Sequence, residues 1–210
     1  RLATALAQVY LDIGDGEVAQ AVLDEVAAAY DTPGSDPRAR IEYLKTLAQV
    51  IGERGDSARK AELLGTALDL HRQLGDPPSV TWEAEQARAE TYSQLGDRPR
   101  SAQELDALVR KLDADPDTDP TAAPQVLTTA GFIYALLDRP DEAEPRLRAA
   151  VARLETRVKP NDPRLLEAKL NLGDTLDFGR HQPELALPLF AEVIEQQTRI
   201  YGPDSSTVAR

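Results

Sequence analysis

The sequence predicts an all-α protein of about ten helices, arranged as about five antiparallel pairs. Alanine and leucine, the two leading helix formers, supply 31 and 28 of the 210 residues. The dipeptide Gly-Asp recurs at a constant spacing of 41 residues, beginning at Gly14, Gly55 and Gly96. No run of alternating β-branched residues indicates a strand. These features favour a chain built from repeated helix-turn-helix units.

The first unit shows how each helix pair is specified. Apolar residues follow helical spacing on both sides of the first Gly-Asp, at Leu6, Ala7, Tyr10 and Leu11 and then at Ala19, Val22, Leu23 and Val26. Gly14 suits the end of the first helix, where a residue in the left-handed conformation closes the last turn. Asp15 can cap the second helix by accepting its free N–H groups.

The same turn is predicted five times along the chain. The tripeptide Asp-Arg-Pro that starts at Asp97 recurs 41 residues later at Asp138, and Gly179 follows at a similar distance. Prolines follow the later turns, where a proline in the first helical turn is tolerated, at Pro99, Pro140 and Pro183. Each turn therefore separates two predicted helices.

Longer breaks rich in Pro, Asp, Gly and Ser separate the helix pairs. The predicted repeats are 1–35, 36–78, 79–120, 121–160 and 161–202, and 203–210 begins a sixth. Asp36 and Asp162 each precede a proline, which is typical of an N-cap followed by the first helical residue. We expect all of these repeats to form a single domain, 1–210.

Two prolines conflict with the helical pattern. Pro145 and Pro188 each come five residues after a first-turn proline, inside the second helices of repeats four and five. A proline in a helix interior costs about 3 kcal/mol and bends the helix. The sequence leaves two possibilities, that these helices begin late or that they kink.

A tighter pattern of small and large residues also recurs with fixed spacing. In the first unit it comprises Ala7, Tyr10, Gly14, Ala19, Leu23 and Val26, and its leading small residue returns as Ala48, Ala89, Gly131 and Gly173. This pattern resembles the tetratricopeptide repeat (TPR), and the period of 41 to 42 residues resembles its kinesin-light-chain-like subclass. The resemblance covers nearly the whole chain, although Lys60 and Ser101 replace the usual alanine and Asp138 the usual glycine.

The resemblance implies a right-handed α-solenoid whose stability comes from contacts between neighbouring repeats. The chain has no methionine, and Tyr201-Gly202-Pro203-Asp204 resembles the junction that opens a new repeat, so we expect a fragment of a larger protein. The 19 arginines against five lysines favour a bacterial source. Similar arrays imply a signalling or regulatory protein. An unrelated helical bundle is the alternative fold.

The composition leaves little room for catalysis. The absence of cysteine excludes disulfides, thiolate metal sites and cysteine nucleophiles, and the two histidines, His71 and His181, lie in different repeats, where we expect surface or helix-end positions. No phosphate-binding, dinucleotide-binding or nucleophile-elbow motif occurs. The aspartates from Asp113 to Asp119 do not form a calcium loop, because Thr118 stands where glycine is required. The sequence therefore predicts no enzyme, no cofactor and no metal.

The charge distribution restricts the partners. With 36 acidic and 24 basic residues the net charge is −12, which repels phosphate backbones and disfavours nucleic-acid binding. No apolar run approaches the roughly 18 residues that cross a membrane, and no signal-peptide pattern opens the chain. We expect a cytoplasmic protein whose partners are proteins or peptides.

The resemblance implies that the first helix of each pair lines a concave groove. The residues expected to bind a partner there are Gln8, Lys45, Gln49, Glu53, Glu83, Gln86, Glu90, Gln94, Phe132, Leu136, Asp174 and Phe178. The middle of the groove is acidic and rich in amides, with Lys45 its one cation, which favours a basic or polar segment over an acidic one. Alternatively, the acids form a solvated face, and the apolar residues are buried by a neighbouring helix or the next repeat.

The sequence therefore predicts a non-catalytic scaffold that holds a peptide segment or a partner domain in this groove. A receptor for chaperone tails is disfavoured, because Thr4 and Gln8 occupy sites where a lysine and asparagine pattern would clamp a terminal carboxylate. The alternative function is a ligand- or peptide-sensing regulatory domain of a bacterial transcription or signalling protein.

Overall fold

The computed structural model describes residues 2–30, 32, 34–115 and 118–202. The predicted start of a sixth repeat at 203–210 lies outside the described residues. In the described part, ten α-helices follow one another without a strand: α1 (Leu2–Asp12), α2 (Gly16–Tyr30), α3 (Pro37–Glu53), α4 (Ser57–Leu74), α5 (Pro78–Gln94), α6 (Arg98–Ala114), α7 (Ala122–Leu136), α8 (Pro140–Glu155), α9 (Pro163–Asp174) and α10 (Pro183–Tyr201). The all-α class and the helix-pair repeats are confirmed.

Two compact units divide the chain. The N-terminal unit, Arg1–Asp97, holds α1 to α5, and the C-terminal unit, Arg98–Arg210, holds α6 to α10. Within each unit sequential helices pack against each other, and first helices of neighbouring repeats also touch, α1 against α3 and α7 against α9. The arrangement of all repeats in a single domain stays a prediction.

The turn inside each pair contains one residue of positive φ. These residues are Gly14 (82°), Gly55 (90°), Gly96 (90°), Asp138 (56°) and His181 (55°). In the first four turns the next backbone N–H donates to the carbonyl five residues back, as Asp15 does to Tyr10 at 2.8 Å. This bond closes the end of a helix when the residue before it is left-handed. The predicted turns at the first four sites are therefore confirmed.

The prediction that Gly179 forms the fifth turn is wrong, because His181 takes the left-handed conformation there. Thr175–Gly179 instead form a π-helical turn that continues α9, so that the N–H of Gln182 reaches the carbonyl of Leu176, six residues back, at 2.8 Å. The glycine serves a close approach, since a methyl group added at Gly179 would lie 3.0 Å from Cβ of Pro140.

The predicted caps are present. The Asp15 carboxylate accepts the N–H of Val18 at 3.1 Å, and Asp36 and Asp162 each accept the N–H two residues later at 3.0 Å. These bonds satisfy backbone donors that an uncapped helix leaves without partners. The chain therefore specifies these helix starts locally.

The two interior prolines lie within continuous helices. Helix α8 begins at Pro140 and runs through Pro145, and α10 begins at Pro183 and runs through Pro188. The possibility that these helices begin late is therefore wrong. Each interior proline removes one backbone hydrogen bond from its helix.

Small residues allow the two helices of a pair to approach closely. The leading small residue of the pattern is buried in every repeat, at Ala7, Ala48, Ala89, Gly131 and Gly173. A methyl group added at Gly131 would lie 2.5 Å from Cγ of Leu147, which is itself fully buried. One added at Gly173 would overlap the ring of Phe190. The pairing of small and large residues that carries the TPR resemblance therefore forms the core.

A polar cluster joins α6, α7 and α8. Arg146 donates to the Asp106 carboxylate through Nε at 2.7 Å and Nη2 at 2.6 Å, and the Tyr134 hydroxyl donates to it at 2.9 Å. The guanidinium carbon of Arg146 lies 4.1 Å from the centre of the Tyr134 ring. Burial acts to raise the pKa of Asp106, but the bonds from Arg146 and Tyr134 outweigh it and lower the pKa.

A buried lysine joins α8, α9 and α10. Lys169 is 3% exposed, and its Nζ lies 2.9 Å from Glu155 and 2.5 Å from Glu192. Burial acts to lower the pKa of Lys169, but the two carboxylates outweigh it and raise the pKa. The ammonium group is therefore held in its charged form between three helices.

His71 lies at the end of α4, as expected, but it is buried rather than on the surface. The side chain is 4% exposed, and its Nδ1 lies 2.6 Å from the Asp76 carboxylate. Asp76 also accepts two bonds from Arg38, at 2.5 and 2.6 Å. This ion pair ties the loop after α4 to the start of α3. His181 is exposed in its turn.

Candidate interaction surface

The first helices of the N-terminal unit border a groove of about 370 Å³. Four of the predicted site residues line it, Gln8 on α1, Lys45 and Gln49 on α3, and Glu83 on α5. Leu64 of α4 contributes apolar surface. The structure thus brings together side chains from three repeats, as the repeat phase predicted.

The other predicted residues of this unit lie on the same helices but outside the groove lining. They are Glu53, Gln86, Glu90 and Gln94. The Gln86 amide donates to Glu90 at 2.8 Å, and Gln94 accepts a bond from the Ser57 hydroxyl at 3.2 Å. These four predicted side chains therefore do not line the groove.

Amide and carboxylate side chains pair one helical turn apart on each of these three helices. Gln8 donates to Asp12 at 3.0 Å on α1, and Gln49 donates to Glu53 at 3.4 Å on α3. The bond from Gln86 to Glu90 is the equivalent on α5. Each pair orients an amide whose oxygen is a hydrogen-bond acceptor.

Lys60 of α4 is a second cation in the groove, so the expectation that Lys45 is its one cation is wrong. Lys60 occupies the alanine position of the repeat pattern, and its stem crosses Gly52 of α3, where an added methyl group would lie 2.5 Å from Lys60 Cδ. The sequence did contain a signal for this crossing. Lys60 stands at a position where the repeat pattern has a small residue, and Gly52 lies eight residues before it.

The groove lining is balanced in charge. The lining contains two carboxylates and two ammonium groups, those of Glu42, Glu83, Lys45 and Lys60. The Nζ of Lys45 lies 3.6 Å from the Glu42 carboxylate. Further carboxylates on the same first helices belong to Asp12, Glu53 and Glu90. These three do not line the groove, so the lining itself lacks the predicted excess of acid.

The C-terminal unit holds a smaller pocket of about 250 Å³. All four predicted site residues of this unit line it, Phe132 and Leu136 from α7, Asp174 from α9 and Phe178 from the π-helical turn. Phe178 is 75% exposed and Phe132 46% exposed. Within the described residues, the apolar patch is therefore open rather than covered by a neighbouring helix.

The π-helical turn forms one wall of this pocket. The N–H of Arg180 donates to the carbonyl of Thr175 at 3.0 Å, and Gly179 packs against Pro140. Phe178 lies within the turn and is therefore placed at the pocket. Single π-helical turns within α-helices occur frequently at functional sites.

The charge of the pocket is negative. Loss of surrounding water and the carboxylate of Asp177 raise the pKa of Asp174. Helix α7 ends at Leu136 and the extension of α9 ends at Gly179, which places two negative helix ends at the pocket, and α8 begins at Pro140, which places one positive helix end there. The pocket therefore combines an apolar wall with the carboxylates of Asp138 and Asp174, which favour cations.

The described residues contain neither a candidate metal site nor a candidate membrane-spanning helix. There, no three His, Cys, Asp or Glu side chains form a group that could hold a metal ion. None of the helices in this part of the chain is both long and apolar enough for a membrane span. The predictions that the protein is not an enzyme and needs no cofactor or metal stay predictions.

Solved structures show what this chain is similar to. BtubC (BKLC) from P. vanneervenii matches with a TM-score of 0.80 and 18% identity, over 97% of this chain and 82% of that one. A chain of nearly identical kinesin-light-chain TPR-like repeats from Podosopora anserina matches with a TM-score of 0.76 and 18% identity, over 96% of both. MamA from Desulfovibrio magneticus RS-1 matches with a TM-score of 0.65 and 19% identity, over 97% and 96%.

The sequence matches no protein-family model and no curated protein. Identities of 18% and 19% relate the chain to these structures by fold. The likeness nevertheless covers almost its full length and includes TPR-like repeats named as kinesin light chain. The chain therefore has the fold of TPR-like repeat proteins.

Proposed function

We propose that this chain is a non-catalytic interaction module that binds a polypeptide segment of a partner protein on the face formed by its first helices. One observation carries the proposal. Three first helices of the N-terminal unit border an open groove lined by long polar side chains. The TPR-like fold supports it, because stacked helix pairs create extended surfaces that such proteins use for binding.

The groove chemistry suits a peptide backbone. The amides of Gln8 and Gln49 both donate and accept hydrogen bonds, and each is held by a carboxylate one turn away. Lys45 and Lys60 balance the two glutamates of the lining, whereas the further carboxylates on the same first helices, Asp12, Glu53 and Glu90, attract positive charge. We therefore favour a segment that is polar in the groove and basic at its flanks, and disfavour an acidic segment.

Photo-cross-linking tests this proposal directly. Gln49, exposed in the groove, is replaced by p-benzoylphenylalanine, and Gln73, exposed near the end of α4, is replaced in a matched control. After irradiation in a lysate of the source organism, mass spectrometry identifies the attached segment, which is then synthesised as a competitor. We expect one segment to attach at Gln49, not at Gln73, and to be displaced by its synthetic copy.

Equal attachment at both positions would contradict binding in the groove. So would attachment at Gln49 that the synthetic segment cannot displace, because a specific site saturates. The setting inferred from the sequence, a larger bacterial signalling or regulatory protein of the cytoplasm, stays a prediction.

A further inference from the structure

We infer that the pocket of the C-terminal unit binds a partner segment in which a large apolar residue stands next to a lysine or arginine. The pocket is the 250 Å³ site bordered by Phe132, Leu136, Asp174 and Phe178. This inference rests on the proposed function, because it assigns a ligand chemistry to a second binding site, in the C-terminal unit.

The size of the pocket fits one large side chain. Sites for drug-sized molecules occupy roughly 300–1,000 Å³, and this pocket, at about 250 Å³, is smaller. Its walls include two aromatic rings and Leu136, with Phe132 and Phe178 substantially exposed. Covering these groups with an aliphatic or aromatic side chain removes apolar surface from water on both partners, which stabilises the complex.

Three carboxylates beside the apolar walls have no cation of their own. Asp138 and Asp174 line the pocket, and Asp177 lies in the π-helical turn. Within the part of the chain that the structure describes, none of the three takes part in an ion pair. A ligand with a cationic group next to its apolar side chain would supply the missing charge.

The arginines that neighbour the pocket in sequence already form ion pairs with other carboxylates. Arg139 pairs with Glu142 at 2.5 Å, and Arg180 pairs with Glu144 at 2.8 Å and also with Asp141. These ion pairs neutralise the basic groups that stand closest in sequence to the pocket. The unpaired carboxylates therefore set the sign of the local charge.

A further feature favours a cation over an anion. The ends of three helices lie at the pocket, the negative ends of α7 and of the extended α9 and the positive end of α8 at Pro140, so the carboxylates rather than the helix ends decide the sign. The raised pKa of Asp174 indicates that its negative charge is disfavoured by the loss of water and by Asp177. A bound ammonium or guanidinium group relieves this cost, whereas a ligand carboxylate increases it.

Nuclear magnetic resonance titration of the ¹⁵N-labelled chain tests the inference. The probes are three acetylated, amidated tetrapeptides with the sequences Gly-Leu-Arg-Gly, Gly-Leu-Glu-Gly and Gly-Ser-Arg-Gly. We expect the Leu-Arg peptide to shift the amide signals of Phe132, Leu136 and Phe178 saturably. Its Kd should be at least fivefold lower than that of either of the other two.

Two variants separate the apolar contribution from the charge. The Asp174→Asn change keeps the shape of the side chain, so the preference for Leu-Arg over Leu-Glu should shrink while the preference for Leu over Ser persists. The Phe178→Ser change alters a side chain that is 75% exposed, so the fold should be retained and the preference for Leu should fall. Unchanged amide signals far from the pocket check that both variants are folded.

Equal binding of the Leu-Arg and Leu-Glu peptides would overturn the inference. Shifts confined to other residues, or no saturable shift at millimolar peptide, would also overturn it. A segment that attaches at Gln49 and is displaced by its synthetic copy would still support the proposed function in that case, so the two failures are distinguishable.

Discussion

At the scale of single residues, the short distance between α7 and α8 requires a glycine at position 131. A methyl group there would lie 2.5 Å from Leu147, which has no room to move because it is fully buried. We expect Gly131→Ala to lower the free energy of unfolding by about 1–3 kcal/mol, as overpacked cores do.

The matched control is Gly65→Ala in α4. Nothing lies within 4 Å of a methyl group added at Gly65, so better helix propensity should raise stability by about 0.5–1 kcal/mol. Chemical denaturation followed by circular dichroism measures both variants. If the two changes had the same effect, close packing at Gly131 would not be the reason for its glycine.

The two carboxylates beside Lys169 compensate the free-energy cost of burying its positive charge. Removing both carboxylates, by Glu155→Gln and Glu192→Gln together, leaves a buried ammonium group without a counter-ion. We expect a loss of about 3 kcal/mol in the free energy of unfolding.

Adding Lys169→Met to that double variant should restore most of the loss, because the uncompensated charge is then gone. Denaturation of the single, double and triple variants gives the coupling between the sites. A triple variant no more stable than the double variant would show that the lysine stem, rather than its charge, stabilises the three helices.

At the scale of elements, the last two turns use residues that tolerate positive φ less well than glycine. His181 has a φ of 55° and Asp138 a φ of 56°. We expect His181→Gly to stabilise the chain by about 1 kcal/mol, and Asp138→Gly by less, because aspartate visits this conformation more readily than histidine.

Thermal denaturation measures both changes. The control is His181→Ala, which keeps a Cβ in the left-handed conformation and should give no gain. Equal stabilisation by alanine and glycine would mean that the histidine side chain, and not the backbone angle, is unfavourable in the turn.

The Asp106 cluster should make the packing of α6, α7 and α8 depend on pH. Because the folded-state pKa of Asp106 is lowered, its stabilisation is present above the ordinary aspartate pKa of about 3.9 and is lost as the pH falls through the lower value. We expect Asp106→Asn to cost about 1–3 kcal/mol at pH 7 and progressively less below pH of about 4.

Asp113→Asn is the matched control, since Asp113 also pairs with an arginine 40 residues later, at 2.7 Å. That pair is more exposed, so its loss should change stability by less than about 1 kcal/mol. Urea denaturation at several pH values measures both variants. A cost for Asp106→Asn that does not change with pH would contradict the assigned role of its charge.

The helices and four of the five turns could be predicted because their signals are local. Gly14 and Asp15 end one helix and cap the next with bonds that span a few residues. The π-helical turn could not be predicted, because no local signal marks it, and its Gly179 packs against Pro140, a residue far away in the sequence. The burial of His71 likewise depends on Asp76 and its bonds to Arg38.

At the scale of the whole molecule, repetition itself predicts much of the candidate surface. The phase of the first helices predicted one concave groove for all of the site residues. The structure brings Gln8, Lys45 and Glu83 together in a groove of the N-terminal unit, and Phe132 and Phe178 in a separate pocket of the C-terminal unit. Lys60 was missed because the repeat phase assigns its position to the interior. Departures from a repeat pattern are therefore where the chemistry of the surface is least predictable.

The central claim is that the first-helix face binds the partner segment, and charge reversal tests it most directly. One variant carries Glu53→Lys, Glu83→Lys and Glu90→Lys on first helices. Its control carries Glu17→Lys, Glu25→Lys and Glu62→Lys on second helices of the same unit, with the same change in net charge. Circular dichroism first confirms that both are folded.

The measurement is the affinity of each variant for the synthetic segment identified at Gln49, by fluorescence anisotropy at fixed salt. We predict that the first-helix variant binds at least tenfold more weakly than the original chain, while the control stays within about twofold, since charges far from an interface are largely screened. Equal weakening by both variants, or weakening by the control alone, would contradict binding on the first-helix face.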